Sequence, residues 1–104
     1  GEPEVVAGAR RLLLSLQHPE LERALEDAGR IAVEGDVARM AEAEAGFDLV
    51  LAADAGIWEA HFGRALLALQ RGDEAAAQVA FERARELNPA SEALIPEPPP
   101  GGNN

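Results

Sequence analysis

Few side chains in this 104-residue sequence could support chemistry. It contains two histidines, His18 and His61, but no cysteine, tyrosine or lysine. The two serines, Ser15 and Ser91, are not paired with a histidine in any recognised nucleophile motif. His61 and its neighbouring carboxylates also lack a metal-binding spacing such as HExxH. We therefore expect no catalytic site, no metal site and no cofactor.

The charge of the chain argues against nucleic acids and anionic membranes as binding partners. Its net charge is −10, and all nine basic residues are arginines. Phosphate backbones and anionic membrane surfaces would repel such a chain. No apolar run approaches the roughly 20 residues that a membrane span requires. We expect no nucleic acid and no membrane insertion.

The positions of residues that end or begin helices predict five helices with short connections. The breaks fall at Pro19, Gly35-Asp36, Asp54-Ala55-Gly56, Gly72-Asp73 and Asn88-Pro89. Short connections favour antiparallel neighbours, so an all-α fold is expected. Residues 1–4 are expected to be a disordered end. A further turn is expected near Ser91, and residues 95–104 are expected to form a Pro/Gly-rich tail or linker.

Within each predicted helix, apolar residues recur at helical spacing and should form the buried stripe. In chain order, these residues are Val5, Ala9, Leu12, Leu13 and Leu16; Leu21, Leu25, Ala28 and Ala32; Met40, Ala43, Phe47 and Val50; Trp58, Phe62, Ala65 and Leu69; and Ala77, Ala80, Phe81, Ala84 and Leu87.

The helices also recur at a constant interval. Gly29 and Gly63 are separated by 34 residues, as are Phe47 and Phe81, and Leu13 precedes Phe47 by the same interval. A 34-residue helix-turn-helix period is typical of the tetratricopeptide repeat. The positions that resemble the landmarks of that family are Gly29, Ala43, Phe47, Val50, Phe62-Gly63, Leu66, Ala77, Phe81, Ala84 and Pro89.

The resemblance covers residues 5–94 and amounts to about two and a half repeats. It implies a short right-handed α-solenoid of antiparallel helix pairs. In this arrangement the first predicted helix stands where the second helix of a preceding repeat would be. Phe47 and Phe81 should then occupy matching layers, and replacing either with alanine should nearly unfold the chain.

The resemblance also implies a function. In that family the first helix of each repeat lines a concave face that accepts a peptide or protein segment. The corresponding positions here are Arg23, Glu26, Asp27, Arg30, Val33, Glu34, Ala60, His61, Arg64, Leu67 and Ala68. Among them we expect the partner to contact Arg23, Arg30, His61, Arg64 and Leu67.

The arginines at these positions have two interpretations. Arg30 and Arg64, one repeat apart, could form a basic strip for an acidic peptide. Alternatively, Arg30 with Glu26, and Arg23 with Asp27, could form ordinary surface ion pairs at i,i+4.

A second function remains open, namely self-association or docking through the terminal helices, which would make the chain a homo-oligomer or part of a larger protein. Apolar residues spread around more of the first helix than one buried stripe requires. These residues are Val5, Val6, Leu12, Leu14 and Leu16. The same leucines could instead fold over the core of this domain.

Overall fold

The computed structural model describes residues 1–96, which are almost entirely helical and contain no strand. The α-helices are α1 (Glu2–Gln17), α2 (Pro19–Glu34), α3 (Met40–Ala53), α4 (Trp58–Gln70) and α5 (Glu74–Leu87). Two short 3₁₀ helices, Val37–Arg39 and Pro89–Leu94, precede α3 and follow α5. The all-α prediction is confirmed. Helix α1 already begins at Glu2, and most of the predicted tail lies outside the described residues.

Local signals explain where most of these helices begin and end. Pro19 opens α2, where its missing N–H costs nothing. Gly35 and Gly72 adopt the left-handed conformation after α2 and α4, with φ of 71° and 78°. The Asp73 carboxylate accepts a hydrogen bond from the Ala76 N–H and caps α5. Asp36, in contrast, makes no side-chain cap and leads into a 3₁₀ turn.

Helices α2 and α3 form a tightly packed pair. A Cβ at Gly46 of α3 would lie 3.2 Å from the Cβ of Ala28 and 3.3 Å from the carbonyl oxygen of Ala24. The absence of a side chain at Gly46 therefore allows the two backbones to approach each other. As predicted, the buried residues of this pair include Leu25, Ala28, Ala32, Met40, Ala43, Phe47 and Val50.

The joint between α3 and α4 connects the first helical pair to the second. The Phe47 ring lies directly over Gly63, where any Cβ would overlap it. Arg71 pairs with Glu44 and Arg64 pairs with Asp48, so α3 and α4 run antiparallel. Phe47 is fully buried. We call this contact the Phe47–Gly63 joint.

Helix α4 buries a different side from the one predicted. Of its expected stripe only Ala65 is buried, whereas Trp58 and Phe62 are half-buried and Leu69 is exposed. Its fully buried positions are instead Ala60, Gly63, Ala65, Leu67 and Ala68. The reason is that α4 packs against three helices, α2, α3 and α5, so no single stripe describes its interior.

Helix α5 closes the second pair. Phe81 packs with the half-buried Phe62, whose ring centroid lies 5.2 Å away in an edge-to-face arrangement. Ala77 and Ala84 are buried beside it, as predicted. Ile95 also packs against this cluster, so the chain that follows the second 3₁₀ helix covers its outer side.

Helix α1 does not occupy the place of a preceding repeat. It contacts α2 but also α5 and the second 3₁₀ helix, which a helix stacked only on α2 would not reach. The expected stripe of Val5, Ala9, Leu12, Leu13 and Leu16 is exposed, and the buried residues are Ala7 and Leu14. The prediction for α1 is therefore wrong in both its position and its buried face.

Candidate binding surfaces

A groove runs along α4 between α3 and α5. It encloses about 640 Å³ and takes residues from all three helices and from the connection before α5. The residues that line it are Glu44, His61, Arg64, Ala68, Arg71, Asp73, Ala76, Val79, Ala80 and Arg83. We call this feature the arginine groove, because a third of the chain's nine arginines line it.

The arginine groove combines an apolar floor with a polar rim. Ala68, Ala76 and Ala80 are small, so the surface is recessed where α4 and α5 pack together. Val79 adds an aliphatic side chain that is 70% exposed. Such a combination can take apolar side chains of a ligand on the floor and its charged side chains at the rim.

The rim arginines are held by exposed carboxylates. Arg71 donates from both terminal nitrogens to Glu44, at 3.0 and 3.2 Å. Arg64 lies 3.2 Å from Asp48, and Arg83 lies 3.2 Å from Glu86. Because these pairs are solvent-exposed, each contributes little to stability and can be exchanged for a ligand's carboxylate.

The Arg71 guanidinium also affects the charge of its partner. Its hydrogen bonds hold the pKa of the Glu44 carboxyl below its usual range, and the same contacts raise the pKa of Arg71. Both groups are therefore charged near neutral pH. Across the whole lining, three arginines face two carboxylates, Glu44 and Asp73. Asp48 and Glu86, which pair with Arg64 and Arg83, offset this excess, so the groove concentrates guanidinium groups without a net positive charge.

The structure brings together only part of the predicted contact set. His61 and Arg64 line the arginine groove, whereas Arg23 and Arg30 lie on α2 and do not. Arg30 pairs with Asp27 at i,i+3, at a distance of 2.9 Å. Leu67 is only 1% exposed and belongs to the core, so its side chain is not available to a partner.

His61 also has a structural contact. Its Nε2 lies 2.8 Å from the carbonyl oxygen of Ala55, so the ring can tether α4 to the connection that precedes it.

Arg71, Arg83 and Val79 are groove residues that the sequence interpretation missed. A signal for Arg71 was present, because His61, Arg64, Ala68 and Arg71 recur at spacings of three, four and three residues on one face of α4. Arg83 and Val79 gave no comparable signal, since they join this face only when α5 packs beside α4.

A second surface is the outward side of α1. Five large aliphatic residues there are between 47% and 71% exposed, namely Val5, Val6, Leu12, Leu13 and Leu16. We call this set the α1 apolar face. It lies opposite Ala7 and Leu14, by which the helix docks. Contiguous exposed apolar patches often mark contact surfaces in other proteins.

Ion pairs explain why α1 docks by the side that carries Ala7 and Leu14. Arg11 donates to Glu22 at 2.6 and 2.7 Å and to Glu59 at 2.9 Å, and so joins α1 to the first turns of α2 and α4. Arg10 reaches Asp54 at the end of α3, at 2.6 Å. Carboxylates are also favoured in first helical turns by the helix dipole. Together these contacts hold α1 across one end of the other helices.

The Arg11 cluster is partly buried, which strengthens its electrostatics. Hydrogen bonding to Arg11 lowers the pKa of the Glu22 carboxyl against the opposing effect of desolvation. The same hydrogen bonds raise the pKa of Arg11 further above its ordinary value. The contact therefore favours the charged forms of both Arg11 and Glu22.

Two further kinds of feature are absent from residues 1–96. No group of three or more potential ligands is placed to hold a metal ion among them. No helix in that range is long and apolar enough to cross a membrane. Comparison of the chain with protein-family models, with curated proteins and with solved structures finds no match.

Proposed function

We propose that this chain is a protein-binding module of tetratricopeptide-like architecture that acts as a scaffold or adaptor without catalysis. The repeat in this proposal comprises two helical pairs, α2 with α3 and α4 with α5, arranged as a short right-handed solenoid. The 34-residue interval and the Phe47–Gly63 joint support this arrangement. Helix α1 is an addition that crosses one end of the pairs.

The observation that carries the functional proposal is the arginine groove. Its floor is apolar and small-sided, and its rim presents Arg64, Arg71 and Arg83. Guanidinium groups bind carboxylates through paired, charge-assisted hydrogen bonds. The ligand we propose is a peptide segment of another protein, with short apolar side chains for the floor and acidic side chains for the rim.

This ligand site differs from the one that the family resemblance implies. There, α2 and α4 contribute the contact face, with Arg23 and Arg30 as members. In our proposal α4 and α5 contribute most of the face, and the arginines of α2 have no part in it. Substituting a pair of arginines from each placement therefore shows which of the two surfaces binds the ligand.

The test uses a fluorescein-labelled peptide of alternating glutamate and alanine as the probe, with a glutamine-for-glutamate peptide as its control. Binding is measured by anisotropy, and the contact surface is mapped by amide chemical-shift changes. We expect the acidic probe to shift resonances of α4 and α5. We expect the combined substitution Arg64→Ala and Arg71→Ala to weaken binding by about tenfold or more.

The matched control is Arg23→Ala combined with Arg30→Ala, which removes the same charge from α2. We expect this variant to bind the acidic probe nearly as well as the unmodified chain does. Added salt should weaken binding, because the contacts are ionic and exposed. Equal weakening by both arginine pairs, or shifts centred on α2, would contradict the placement in the groove. Absence of binding to the acidic probe would contradict the proposed ligand class.

A further inference from the structure

The α1 apolar face has the pattern of a helix–helix seam. Val5, Ala9, Leu12 and Leu16 are separated by four, three and four residues, and all four are exposed. Alternating spacings of three and four place side chains in one line along a helix and are typical of coiled-coil contacts. Val6 and Leu13 border this line on one side. The seam is therefore complete along the helix but has no partner within the described residues.

The order of residues in the seam is self-complementary. When a second α1 lies antiparallel on the first, Val5 of each copy faces Leu16 of the other. In the inner layers Ala9 faces Leu12, so a small side chain accommodates a large one. A two-fold axis requires that each contact occur twice in this reciprocal way.

The charges also favour this helix as the meeting point of two copies. Glu2 and Glu4 balance Arg10 and Arg11, so α1 is neutral and the net charge of −10 lies on the rest of the chain. Repulsion between copies is then smallest along α1. Arg10 and Arg11 are held in ion pairs at the docked side. Peripheral membrane helices instead present free basic residues beside their apolar face.

We propose that the α1 apolar face binds a second copy of this chain, forming a two-fold symmetric dimer through an antiparallel α1–α1 pair. The surface contains no residue of the arginine groove, so this proposal stands independently of the proposed function. A helix of 16 residues is roughly 24 Å long. The interface is therefore small, and the dimer forms in a concentration-dependent way.

Sedimentation equilibrium of the whole chain, from micromolar to millimolar concentration, tests this proposal. The monomer mass is 11.0 kDa, and we expect it to double at high concentration. Because the two copies carry like charge, added salt should strengthen the dimer, in contrast to its effect on ionic peptide binding. A monomer at every concentration would overturn the proposal, and so would binding to lipid vesicles without dimer formation.

Matched substitutions locate the interface. Leu12 in the seam and Leu49 on α3 are 60% and 58% exposed, so glutamate at either position leaves the core intact. We expect Leu12→Glu to weaken the dimer more than tenfold and Leu49→Glu to leave it unchanged. Leu16→Glu provides a second seam variant, and circular dichroism verifies that each variant is folded. Equal dissociation constants for the Leu12 and Leu49 variants would remove α1 from the interface.

Disulfide formation tests the register. The chain has no cysteine, so any disulfide must join introduced residues. Antiparallel pairing brings residue 9 of one copy to residue 12 of the other. An oxidised mixture of Ala9→Cys and Leu12→Cys chains should therefore cross-link between the two variants more than within either. Predominant cross-linking within each variant would contradict the antiparallel register.

Discussion

The Phe47–Gly63 joint and the equivalent pair one interval earlier, Leu13 and Gly29, have opposite structures. At the first, an aromatic ring covers a glycine so closely that no Cβ fits between α3 and α4. At the second, a Cβ at Gly29 would meet nothing within 4 Å, and Leu13 is 51% exposed. The same 34-residue interval therefore produces a close side-chain contact in one place and none in the other.

The difference shows what a repeat pattern requires before it becomes a contact. The Phe47–Gly63 joint lies between two helical pairs, where burial of an aromatic ring removes a large apolar area from water. Within residues 1–96, no helix pairs with α1 as α3 pairs with α2. The arginines of α1 instead find the carboxylates Glu22, Glu59 and Asp54 at one end of the other helices. In α1, ion pairs rather than the apolar periodicity therefore determine which side of the helix faces the rest of the protein.

The largest expected difference in stability is between alanine substitutions at Phe47 and at Leu13. Phe47→Ala should lower the free energy of unfolding by about 3–5 kcal/mol, because it leaves a cavity in a fully enclosed site. Leu13→Ala, at the equivalent position, should change it by no more than about 0.5 kcal/mol. Urea unfolding at a concentration that keeps the chain monomeric measures both. Losses of similar size would mean that Leu13 is packed like Phe47.

Alanine at the two glycines should act with opposite sign. Gly63→Ala forces a methyl group against the Phe47 ring and should destabilise the fold by roughly 1–3 kcal/mol. Gly29→Ala meets open space within a helix and should stabilise the fold by about 0.5–1 kcal/mol, because alanine loses less backbone entropy than glycine. Thermal unfolding of the two variants gives the signs directly. Destabilisation by Gly29→Ala would show that a neighbour covers this position.

The ionic anchor of α1 can be removed separately. Arg11→Met keeps much of the aliphatic stem but leaves Glu22 and Glu59 without their cation, and we expect a loss of roughly 1–2 kcal/mol. Arg39→Met breaks an exposed pair with Glu42 and should change the stability far less. Amide hydrogen exchange should show faster exchange in α1 of the Arg11 variant alone. Unchanged protection of α1 would indicate that the ion pairs do not hold it.

Acid should weaken the anchor before it weakens the Phe47–Gly63 joint. The pKa of Glu22 is lower in the folded chain than its unfolded value of about 4.3. Its stabilising contribution is therefore complete above the unfolded pKa and is lost as the pH falls through the folded pKa. This effect is the smallest of the four. The Glu22→Gln variant should lose less stability than the unmodified chain between about pH 6 and pH 3, and an equal loss would contradict this role for Glu22.

How far the sequence predicts this structure depends on how much of the circumference of each helix is buried. The buried sides of α2, α3 and α5 were predicted apart from Ile31, because the buried residues of each helix lie on one side and the apolar spacing shows which. Helix α4 contacts three helices, so Leu67 is interior although the family pattern places it on a contact face. For α1, the apolar face was evident, but the buried side was decided by carboxylates far away in sequence, such as Glu59.

The candidate sites follow the same rule. His61 and Arg64 lie three residues apart on α4, so their spacing alone predicts that they share one face of the helix. Arg83 and Val79 join them only through the packing of α5 on α4, which no local pattern encodes. The family resemblance also predicted Arg23 and Arg30 as contact residues. It assigned the contact face of α2 by analogy with the family, and that face does not line the arginine groove.

A nuclear Overhauser spectrum of the chain, at a concentration that keeps it monomeric, tests the two glycine positions in one measurement. We predict strong contacts between the Phe47 ring protons and the α protons of Gly63, with the latter shifted upfield by the ring current. We predict no contact between the Leu13 methyl groups and the α protons of Gly29. A contact between Leu13 and Gly29 would place α1 in the repeat and contradict the account given for this helix.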